Sequence, residues 1–455
     1  MIDLALVRKD PVAYQDACKK KNIKLNIAAF LKLDEERRML MAETQTMQAE
    51  RNAVSKKVPT IKEKTEKEKV IGEMKSLGEK LKAGEEELIE LDKQWMALQL
   101  QLPSIPLPSV PVGKDDTENR EQRKWAPNQS SASADSGTGQ DGLPIFDFEP
   151  KDHVALGTAL DIIDIPRGVK IGGSRSYFLK GDGARLELAI LQFTIDLLTK
   201  RGFTLFTPPL MANYAAMMGT SYFPGGEEQA YAIGVDRTPE LGLDGKDAKQ
   251  IESDRLYLIG TSEVAVASYH SGETFKQSEL PKRYAGLSNC FRREAGTYGK
   301  DTHGLYRIHQ FQKVEQVVLC ENDEKTSAAL HQEILGNAEA VLQALELPYR
   351  VVDVCTGDMG RGQIFKNDIE TWMPSRKGYG ETHSCSTFGE FQARRLGIKY
   401  ETESGEKKYV HTLNNTCIAS PRILIPILEI YQNKDGSVAI PSVLRPYMGG
   451  QEVIR

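Results

Sequence analysis

Apolar residues recur at every seventh position through much of the first hundred residues. Before Pro59 one such series comprises Leu33, Leu40, Met47 and Val54. After Pro59 two interleaved series follow: Val70, Leu77, Gly84, Leu91 and Leu98, and Met74, Leu81, Leu88, Trp95 and Leu102. A heptad repeat with apolar a and d positions predicts a coiled coil. Gly84 stands at a core position, which predicts either lower stability or a narrow crossing of the helices.

Pro59 separates the two patterned segments. Because proline interrupts a helix, this arrangement predicts an antiparallel helical hairpin, and about 30 residues per helix would make an arm roughly 45 Å long. Upstream, Asp10 and Pro11 predict the N-cap and first position of a short helix that ends near residues 19–21. The arm also carries many basic residues: Arg37, Arg38, Arg51, Lys56, Lys57, Lys62, Lys64, Lys67 and Lys69. They indicate either a solvated surface or a tip that contacts a phosphate backbone.

Four prolines, at positions 103, 106, 108 and 111, end the helical region, and residues 113–143 are rich in Ser, Gly and Asp. This composition is typical of a linker or surface loop. We therefore expect an N-terminal helical domain over residues 1–105, a linker over 106–149 and a larger domain over 150–455. The chain of 455 residues is long enough for the core of an enzyme.

The C-terminal part mixes helical and strand periodicity. Residues 183–201 have the apolar spacing of an amphipathic helix, whereas RLYLIG, VEQVVLC and YRVVDVC are typical of strands. Strands and helices do not alternate regularly. We therefore expect an α+β fold in which helices flank an antiparallel sheet.

The stretch FRREAGTYGKDTHGLYRIHQFQKVE, residues 291–315, predicts a β-hairpin with one polar face. Side chains alternate between the two faces of a strand, so Arg292 and Glu294 would share a face. The corresponding face of the second strand would hold Arg307, His309, Phe311, Lys313 and Glu315. From alternation alone, this face is either solvated surface or the floor of a site for charged ligands.

Composition narrows the classes of function. The net charge is −5, so contact with nucleic acid would need a local basic patch. No apolar run approaches the roughly 20 residues that span a bilayer, and the start MIDLALVRKDP resembles neither a signal peptide nor a transit peptide; a cytoplasmic location is expected. The six cysteines are scattered without a CxxC pair, which favours buried thiols over a zinc site. Neither a P-loop nor a GxGxxG between strand and helix is present.

Three segments resemble the signature motifs of class II aminoacyl-tRNA synthetases. The run from glycine to Pro209 in GFTLFTPPL is similar to motif 1, FRREAG…GLYRIHQF to motif 2, and LNNTCIASPRILIPILE at 413–429 to motif 3. With the arm and the closing VLRPYMGG, the chain resembles bacterial seryl-tRNA synthetases over nearly its whole length. The resemblance implies a class II catalytic domain behind a coiled-coil arm, with ATP as a substrate.

Activating an amino acid requires charge neutralisation more than acid–base chemistry, because the attacking carboxylate is already ionised. By resemblance, Arg292 bridges the α-phosphate and the substrate carboxylate, for which a forked guanidinium is suited. Glu294 would accept a hydrogen bond from the adenine amino group. Phe311 would stack on the adenine ring, and Arg422 would cover its other face near the γ-phosphate. Arg307 would also meet the γ-phosphate.

Glu381 and Ser384, in GETHSCST, resemble the family's ligands for Mg²⁺, which prefers oxygen donors. The chain departs from the family pattern at two places. Thr387 stands where many members have asparagine, and Asn367 stands where an aromatic residue is common. We assign neither residue a direct chemical role. The two departures therefore leave the packing around the pocket uncertain, but hardly affect the expected class of reaction.

The resemblance also implies a pocket for L-serine. It would consist of Thr261 and Glu263 at the amino group, Arg292 at the carboxylate, and Glu315, Asn414 and Thr416 around the hydroxyl. A site built to bond a hydroxyl group rejects an analogue that lacks it, since its own polar groups would be left unpaired.

Implied partners are tRNA(Ser), tRNA(Sec) where it exists, and a second copy of the chain in a homodimer. The arm would recognise the long variable arm of the tRNA. Three alternatives remain: a non-catalytic synthetase paralogue that binds RNA or protein, a ligase that loads a carrier protein, and a ligase for threonine or proline. The long arm counts against the carrier-protein ligase.

Overall fold

The computed structural model of the chain describes residues 1–127, 136–138, 142–234, 255–296 and 304–455. It divides into two compact units, Met1–Ile105 and Pro106–Arg455, which are described separately.

The N-terminal unit is helical. Its helices are α1 (Leu4–Lys9), α2 (Pro11–Lys20), α3 (Ile27–Lys57) and α4 (Lys64–Gln99). Asp10 caps α2 by accepting a hydrogen bond of 3.0 Å from the Ala13 amide, as predicted. A short 3₁₀ turn at Val58–Thr60 reverses the chain. The two long helices pack antiparallel, which confirms the predicted coiled-coil hairpin.

Gly84 marks a close approach of the two long helices. A Cβ atom at this position would lie 2.9 Å from Thr44 Cγ2, and Thr44 itself is held because its hydroxyl donates to the Leu40 carbonyl. The narrow crossing is therefore the correct one of the two interpretations of this glycine.

This crossing predicts opposite effects for two glycine replacements in the same helix. Gly84→Val should destabilise the arm by about 2 kcal/mol through overpacking against Thr44. Gly78→Ala, where an added Cβ meets nothing within 4 Å, should stabilise it by about 1 kcal/mol. Hydrogen exchange of the arm amides measures both. Equal effects of the two variants would contradict the close crossing.

The second unit is built on an antiparallel sheet. Its strands are β1 (Arg120–Trp125), β2 (Thr204–Phe206), β3 (Lys282–Phe291), β4 (Gln310–Cys320), β5 (Tyr349–Asp353), β6 (Phe365–Met373), β7 (Gly378–Gly389) and β8 (His411–Ser420). Their order across the sheet is β1-β5-β6-β7-β8-β4-β3-β2. All neighbours are antiparallel except β2 and β3. The predicted α+β class is confirmed.

Helices surround this sheet. They are α5 (His153–Ala159), α6 (Ile165–Gly172), α7 (Asp182–Lys200), α8 (Tyr214–Gly219), α9 (Glu263–Ser268), α10 (Glu324–Ala344), α11 (Phe391–Leu396) and α12 (Leu424–Ile430). Short strands form small side sheets: Ser136–Thr138 with Pro144–Phe146, Ile163–Asp164 with Phe178–Leu179, Val438–Ala439 with Val453–Ile454, Met211–Asn213 with Leu256–Leu258 and Ala232–Ile233, and Thr274–Lys276 with Lys399–Glu401 and Lys407–Tyr409. Within the described ranges, no helix combines the length and apolar character needed to cross a lipid bilayer.

Strand β4 divides the interior into an apolar and a polar side. Val314 and Val318 belong to the large apolar core that also contains side chains of α7 and α10. Phe311, Lys313 and Glu315 face the opposite way and line a cavity. The predicted alternation therefore holds over residues 311–315 of this strand.

Two sequence-based expectations need correction. The predicted linker was wrong for residues 120–125, which form the edge strand β1. Its polar sequence fits an edge position, because Arg120 and Arg123 pair with Asp353 and Glu339. The predicted hairpin strands were also too long: β3 ends at Phe291 and β4 begins at Gln310, so Arg292, Glu294, Arg307 and His309 lie beyond the last strand residues.

Candidate active site

A cavity of about 450 Å³ opens over the polar face of β4, β7 and β8. The loop at residues 220–226, the start of α9 and the loop at residues 360–363 complete its walls. Eleven of the twelve predicted site residues line it: Thr261, Glu263, Arg292, Glu294, Phe311, Glu315, Glu381, Ser384, Asn414, Thr416 and Arg422. Arg307 lines an adjoining cavity of about 430 Å³, which shares Arg292 and Glu294 with the first.

A buried ionic cluster lies on the floor of the cavity. Lys313 forms a salt bridge with Glu315, and the Thr416 hydroxyl donates to Glu315 Oε2 at 3.2 Å. An irregularity in the pairing of β4 with β8 brings Glu315 opposite Thr416, so that Cys417 has no counterpart. Lys313 and Glu315 are only 5% and 2% exposed. The cluster is therefore a desolvated hydrogen-bonding site.

Glu263 lies at the first position of the short helix α9 and is buried beside this cluster. Burial and the negative charge of Glu315 raise the pKa of Glu263 to about 7. Thr261, 1% exposed, precedes it on the cavity wall. A carboxylate with little solvation in a cavity of this size is suited to bind a small cationic group.

Arg292 lies just beyond the end of β3 and lines the same cavity as the ionic cluster and Phe311. Its Nε atom donates to the Gly260 carbonyl at 3.3 Å, and its guanidinium lies 5.3 Å from the centroid of the Phe311 ring. Glu294 adopts a positive φ of 52° just beyond, and Arg307 Nη1 lies 3.4 Å from its Oε2 atom. The end of the hairpin thus gathers arginines and a carboxylate beside an aromatic ring.

Positive charges also surround Glu381 on β7. A bulge in the pairing of β6 with β7 places both Glu381 and Thr382 on the cavity side. Desolvation alone would raise the pKa of Glu381, but the guanidinium of Arg422, with Lys366, Arg292 and Arg307, lowers it on balance. Arg422 is fixed by hydrogen bonds to the Tyr306 and Glu381 carbonyls at 3.1 and 2.9 Å. Glu381 is therefore ionised at neutral pH, and with Ser384 it offers oxygen donors that fit a divalent cation.

The two departures from the family pattern meet at one buried histidine. Thr387 Oγ1 lies 2.9 Å from His331 Nδ1, and Asn367 Oδ1 lies 2.9 Å from His331 Nε2. Burial lowers the pKa of His331 to about 4, so the ring is neutral. Neither residue lines the cavity. They form one hydrogen-bonded unit that ties α10 to β6 and β7.

Several cavity residues received no role from the sequence. The alternation placed Lys313 on the polar face with Phe311 and Glu315, but no role was assigned to it. The loop residues Tyr222 and Arg361 also line the cavity. They lie in irregular segments far apart in the sequence, where no periodicity indicates which way a side chain points.

Comparison with known families supports the architecture. Residues 1–106 match the family model "Seryl-tRNA synthetase N-terminal domain", and residues 247–431 match "tRNA synthetase class II core domain (G, H, P, S and T)". The chain is 43% identical to the serine–tRNA ligase of Deinococcus radiodurans, covering 100% of this chain and 99% of the relative. It is 41% identical to that of Trichlorobacter lovleyi, covering all of both chains.

Solved structures agree with this assignment. The crystal structure of seryl-tRNA synthetase from Pyrococcus horikoshii complexed with ATP superposes with a TM-score of 0.84 at 35% identity, over 100% of this chain and 99% of that one. The fold and the matched core define a class II aminoacyl-tRNA synthetase. Within that class, the chain belongs to the seryl-tRNA synthetase family.

Proposed function

We propose that this protein is a serine–tRNA ligase that activates L-serine with ATP, releases pyrophosphate, and transfers serine from seryl-adenylate to the 3′ end of tRNA(Ser). The observation that supports this most directly is the pairing, in one cavity, of a desolvated polar pocket with an arginine-rich region. Full-length similarity to serine–tRNA ligases supports the same activity. No observation favours the non-catalytic paralogue or the carrier-protein ligase.

The cavity divides between the two substrates. We assign the serine ammonium to Glu263 and Thr261, and the hydroxyl to Glu315 and Thr416, with Asn414 beside them. Arg292 lines the same cavity and lies close to Phe311, and we assign its fork to the serine carboxylate and the α-phosphate together. The carboxylate then attacks the α-phosphorus and pyrophosphate leaves, with no general base needed.

The nucleotide is assigned to the arginine-rich region. Phe311 would stack on the adenine ring and Glu294 would accept from its amino group. Arg422 would cover the other face of the ring near the γ-phosphate, and Arg307 would reach the γ-phosphate from the adjoining cavity. Cationic side chains held rigidly in a desolvated site stabilise the charge that develops on the leaving pyrophosphate.

Glu381 and Ser384 are proposed to hold Mg²⁺ against the triphosphate. The ionised state of Glu381 fits this assignment. A bound Mg²⁺ would supply charge neutralisation of the phosphate oxygens. The neighbouring Arg422 and Arg292 keep Glu381 ionised and bind phosphate oxygens themselves.

Titration of the protein with Mn²⁺ as a spectroscopic probe should show weaker binding in Glu381→Gln.

The arm is proposed to contact the tRNA. Residues 51–69, around the tip, contain seven Lys or Arg against three Glu, in a chain that is acidic overall. Counterion release makes such contacts steeply salt-dependent. Charging of tRNA(Ser) and tRNA(Sec) transcripts at several salt concentrations tests this assignment and both tRNA partners. We also propose a cytoplasmic location, where the protein would bind these tRNAs.

A homodimer is also proposed. On edge strand β2, Leu205 is 40% exposed, and Tyr269, which packs edge-on against Phe206, is 63% exposed. Apolar side chains at an exposed sheet edge are suited to contact a second copy. Sedimentation equilibrium measures the mass directly, and a monomer at micromolar concentration would contradict the proposal.

The activity itself is tested by amino-acid-dependent exchange of pyrophosphate into ATP without tRNA. Serine, threonine and alanine are supplied separately. Exchange with serine alone would support both the activation chemistry and the hydroxyl pocket. Absence of exchange with all three would overturn the proposed function, and exchange with threonine would redirect it to another member of the class.

The raised pKa of Glu263 predicts a pH dependence for serine. The ammonium group requires the ionised carboxylate, so a proton on Glu263 competes with serine. Below a pKa of about 7, the KM for serine should rise about tenfold for each pH unit lost, and above it the KM should level off. Steady-state exchange kinetics at several pH values measure this. The KM for ATP is the internal control, and a flat KM for serine would contradict the assignment of Glu263.

A further inference from the structure

A buried glutamine lies directly behind Glu263. Gln392, on α11, is 1% exposed and does not line the cavity. Its Nε2 atom donates to Glu263 Oε1 at 2.7 Å and to the Thr220 carbonyl at 3.2 Å. Its Oε1 atom accepts from the Thr412 hydroxyl at 2.6 Å. Both donors of this side chain and its acceptor oxygen are thus directed at three elements around the serine pocket.

The orientation of the Gln392 amide follows from its partners. A backbone carbonyl can only accept, so the nitrogen must face Thr220 and the oxygen must face Thr412. An N–H therefore points at Glu263. Because the contact involves a carboxylate, it is strongest when Glu263 is ionised.

We propose that Gln392 is a positioning residue that holds the Glu263 carboxylate in place for the ammonium group of the substrate. This inference rests on the proposed function, since it presumes that an amino acid occupies the pocket. The same amide nitrogen also ties down the loop at residues 220–226, which forms a cavity wall. One side chain thus sets the distance between that wall and the carboxylate.

The other groups around Glu263 make this donor important. Glu315 and Lys313 face Glu263 from β4, and Asn414 faces it from β8. Tyr222 contributes a further ionisable group from the loop. Glu315 opposes ionisation of Glu263, whereas Lys313, Asn414 and Gln392 favour it. Loss of the Gln392 donor leaves the repulsion from Glu315 less well balanced, so the proton on Glu263 should become harder to remove.

The test compares Gln392→Met with Gln316→Met. Gln316 is also fully buried, and its side chain bonds the Ile334 carbonyl and Asn337, but it does not line the cavity. Kinetics of pyrophosphate exchange are measured from about pH 6 to pH 9. In Gln392→Met, the pH below which kcat/KM for serine falls should move up by about one unit, and KM for serine at pH 7 should rise roughly fivefold. The kcat at saturating serine and the KM for ATP should change less than about threefold. Gln316→Met should leave that pH unchanged.

The outcomes separate the two hypotheses. If the wild-type protein shows no serine-dependent exchange, the proposed function fails, and the inference falls with it. If the wild type shows serine-dependent exchange, two results overturn only the inference. Either Gln392→Met keeps the wild-type pH dependence of kcat/KM for serine, or Gln316→Met shifts that dependence equally. Should Gln392→Met fail to fold, Thr412→Val decides, since it removes only the hydroxyl that orients the amide. It should shift the pH dependence in the same direction by about half a pH unit, and an unshifted dependence would overturn the inference.

Discussion

Replacement of Glu315 by alanine should lower kcat/KM for serine by about a thousandfold, which is one of two equally strong effects expected in the cavity. The variant removes the proposed hydrogen-bond partner of the serine hydroxyl. It also deprives Lys313 of its carboxylate partner in a site that is almost fully desolvated, where the Thr416 hydroxyl remains 3.3 Å away. Loss of a group that recognises a substrate hydroxyl can cost about 4 kcal/mol in the transition state, which corresponds to the thousandfold loss. The broken ion pair should in addition lower the folding stability by about 3–5 kcal/mol.

The decisive measurement is the ratio of kcat/KM for serine to kcat/KM for alanine. A site that bonds a hydroxyl group should discriminate by about 10⁴ against the analogue without it. In Glu315→Ala this preference should collapse towards unity. Because both substrates are measured on one preparation, any fraction of unfolded protein cancels in the ratio. An unchanged preference would show that Glu315 does not recognise the hydroxyl.

Glu333→Ala is the matched control. This glutamate also pairs with a basic residue, since Arg283 Nε and Nη2 lie 2.7 and 2.9 Å from its two carboxylate oxygens. The pair lies on α10 and β3, outside the cavity, and is partly exposed. Losing an ion pair of this kind should cost at most about 1 kcal/mol in stability and leave the serine preference intact.

The sequence indicated which residues line the cavity better than it indicated where the strands around the cavity end. The face containing Phe311, Lys313 and Glu315 followed from alternation, because β4 is regular along these residues. The ends of the hairpin did not follow, because Arg292 and Arg307 leave the sheet at points fixed by the pairing of Phe291 with Gln310. Periodicity cannot show where a strand stops when the polar pattern continues beyond it.

Local sequence patterns also could not predict which residues pair across the sheet. The bulge that sets Thr416 opposite Glu315 depends on the register of β8 against β4. Thr387 and Asn367 appeared as two unrelated departures until the structure brought both to His331. Gln392 belongs to the same class, since two of its three hydrogen-bond partners, Thr220 and Glu263, lie more than a hundred positions away in the sequence. Such pairs are set by topology, and one sequence records topology only indirectly.

The second strong effect is expected at Arg292. Arg292→Lys keeps the positive charge but should lower kcat for serine activation by about a thousandfold, or about 4 kcal/mol in the barrier. The guanidinium has two outward-facing donors in a fixed plane, which suits it to hold a carboxylate and a phosphate oxygen at once. An ammonium group offers no such plane. The variant also loses two contacts that hold Arg292 in place, the hydrogen bond from its Nε atom to the Gly260 carbonyl and the contact with the Phe311 ring.

Arg293→Lys tests whether this effect is specific to the position. Arg293 is the next residue, is exposed, and does not line the main cavity. It should retain kcat within about threefold of the wild type.

Pre-steady-state formation of the adenylate then shows which step is slowed in Arg292→Lys. Arg292→Lys should slow the chemical step more than it weakens serine binding, because the two oxygens must be held together chiefly while the new bond forms. A loss confined to KM would instead mean that Arg292 binds the ground state, and that another group neutralises the α-phosphate during the reaction.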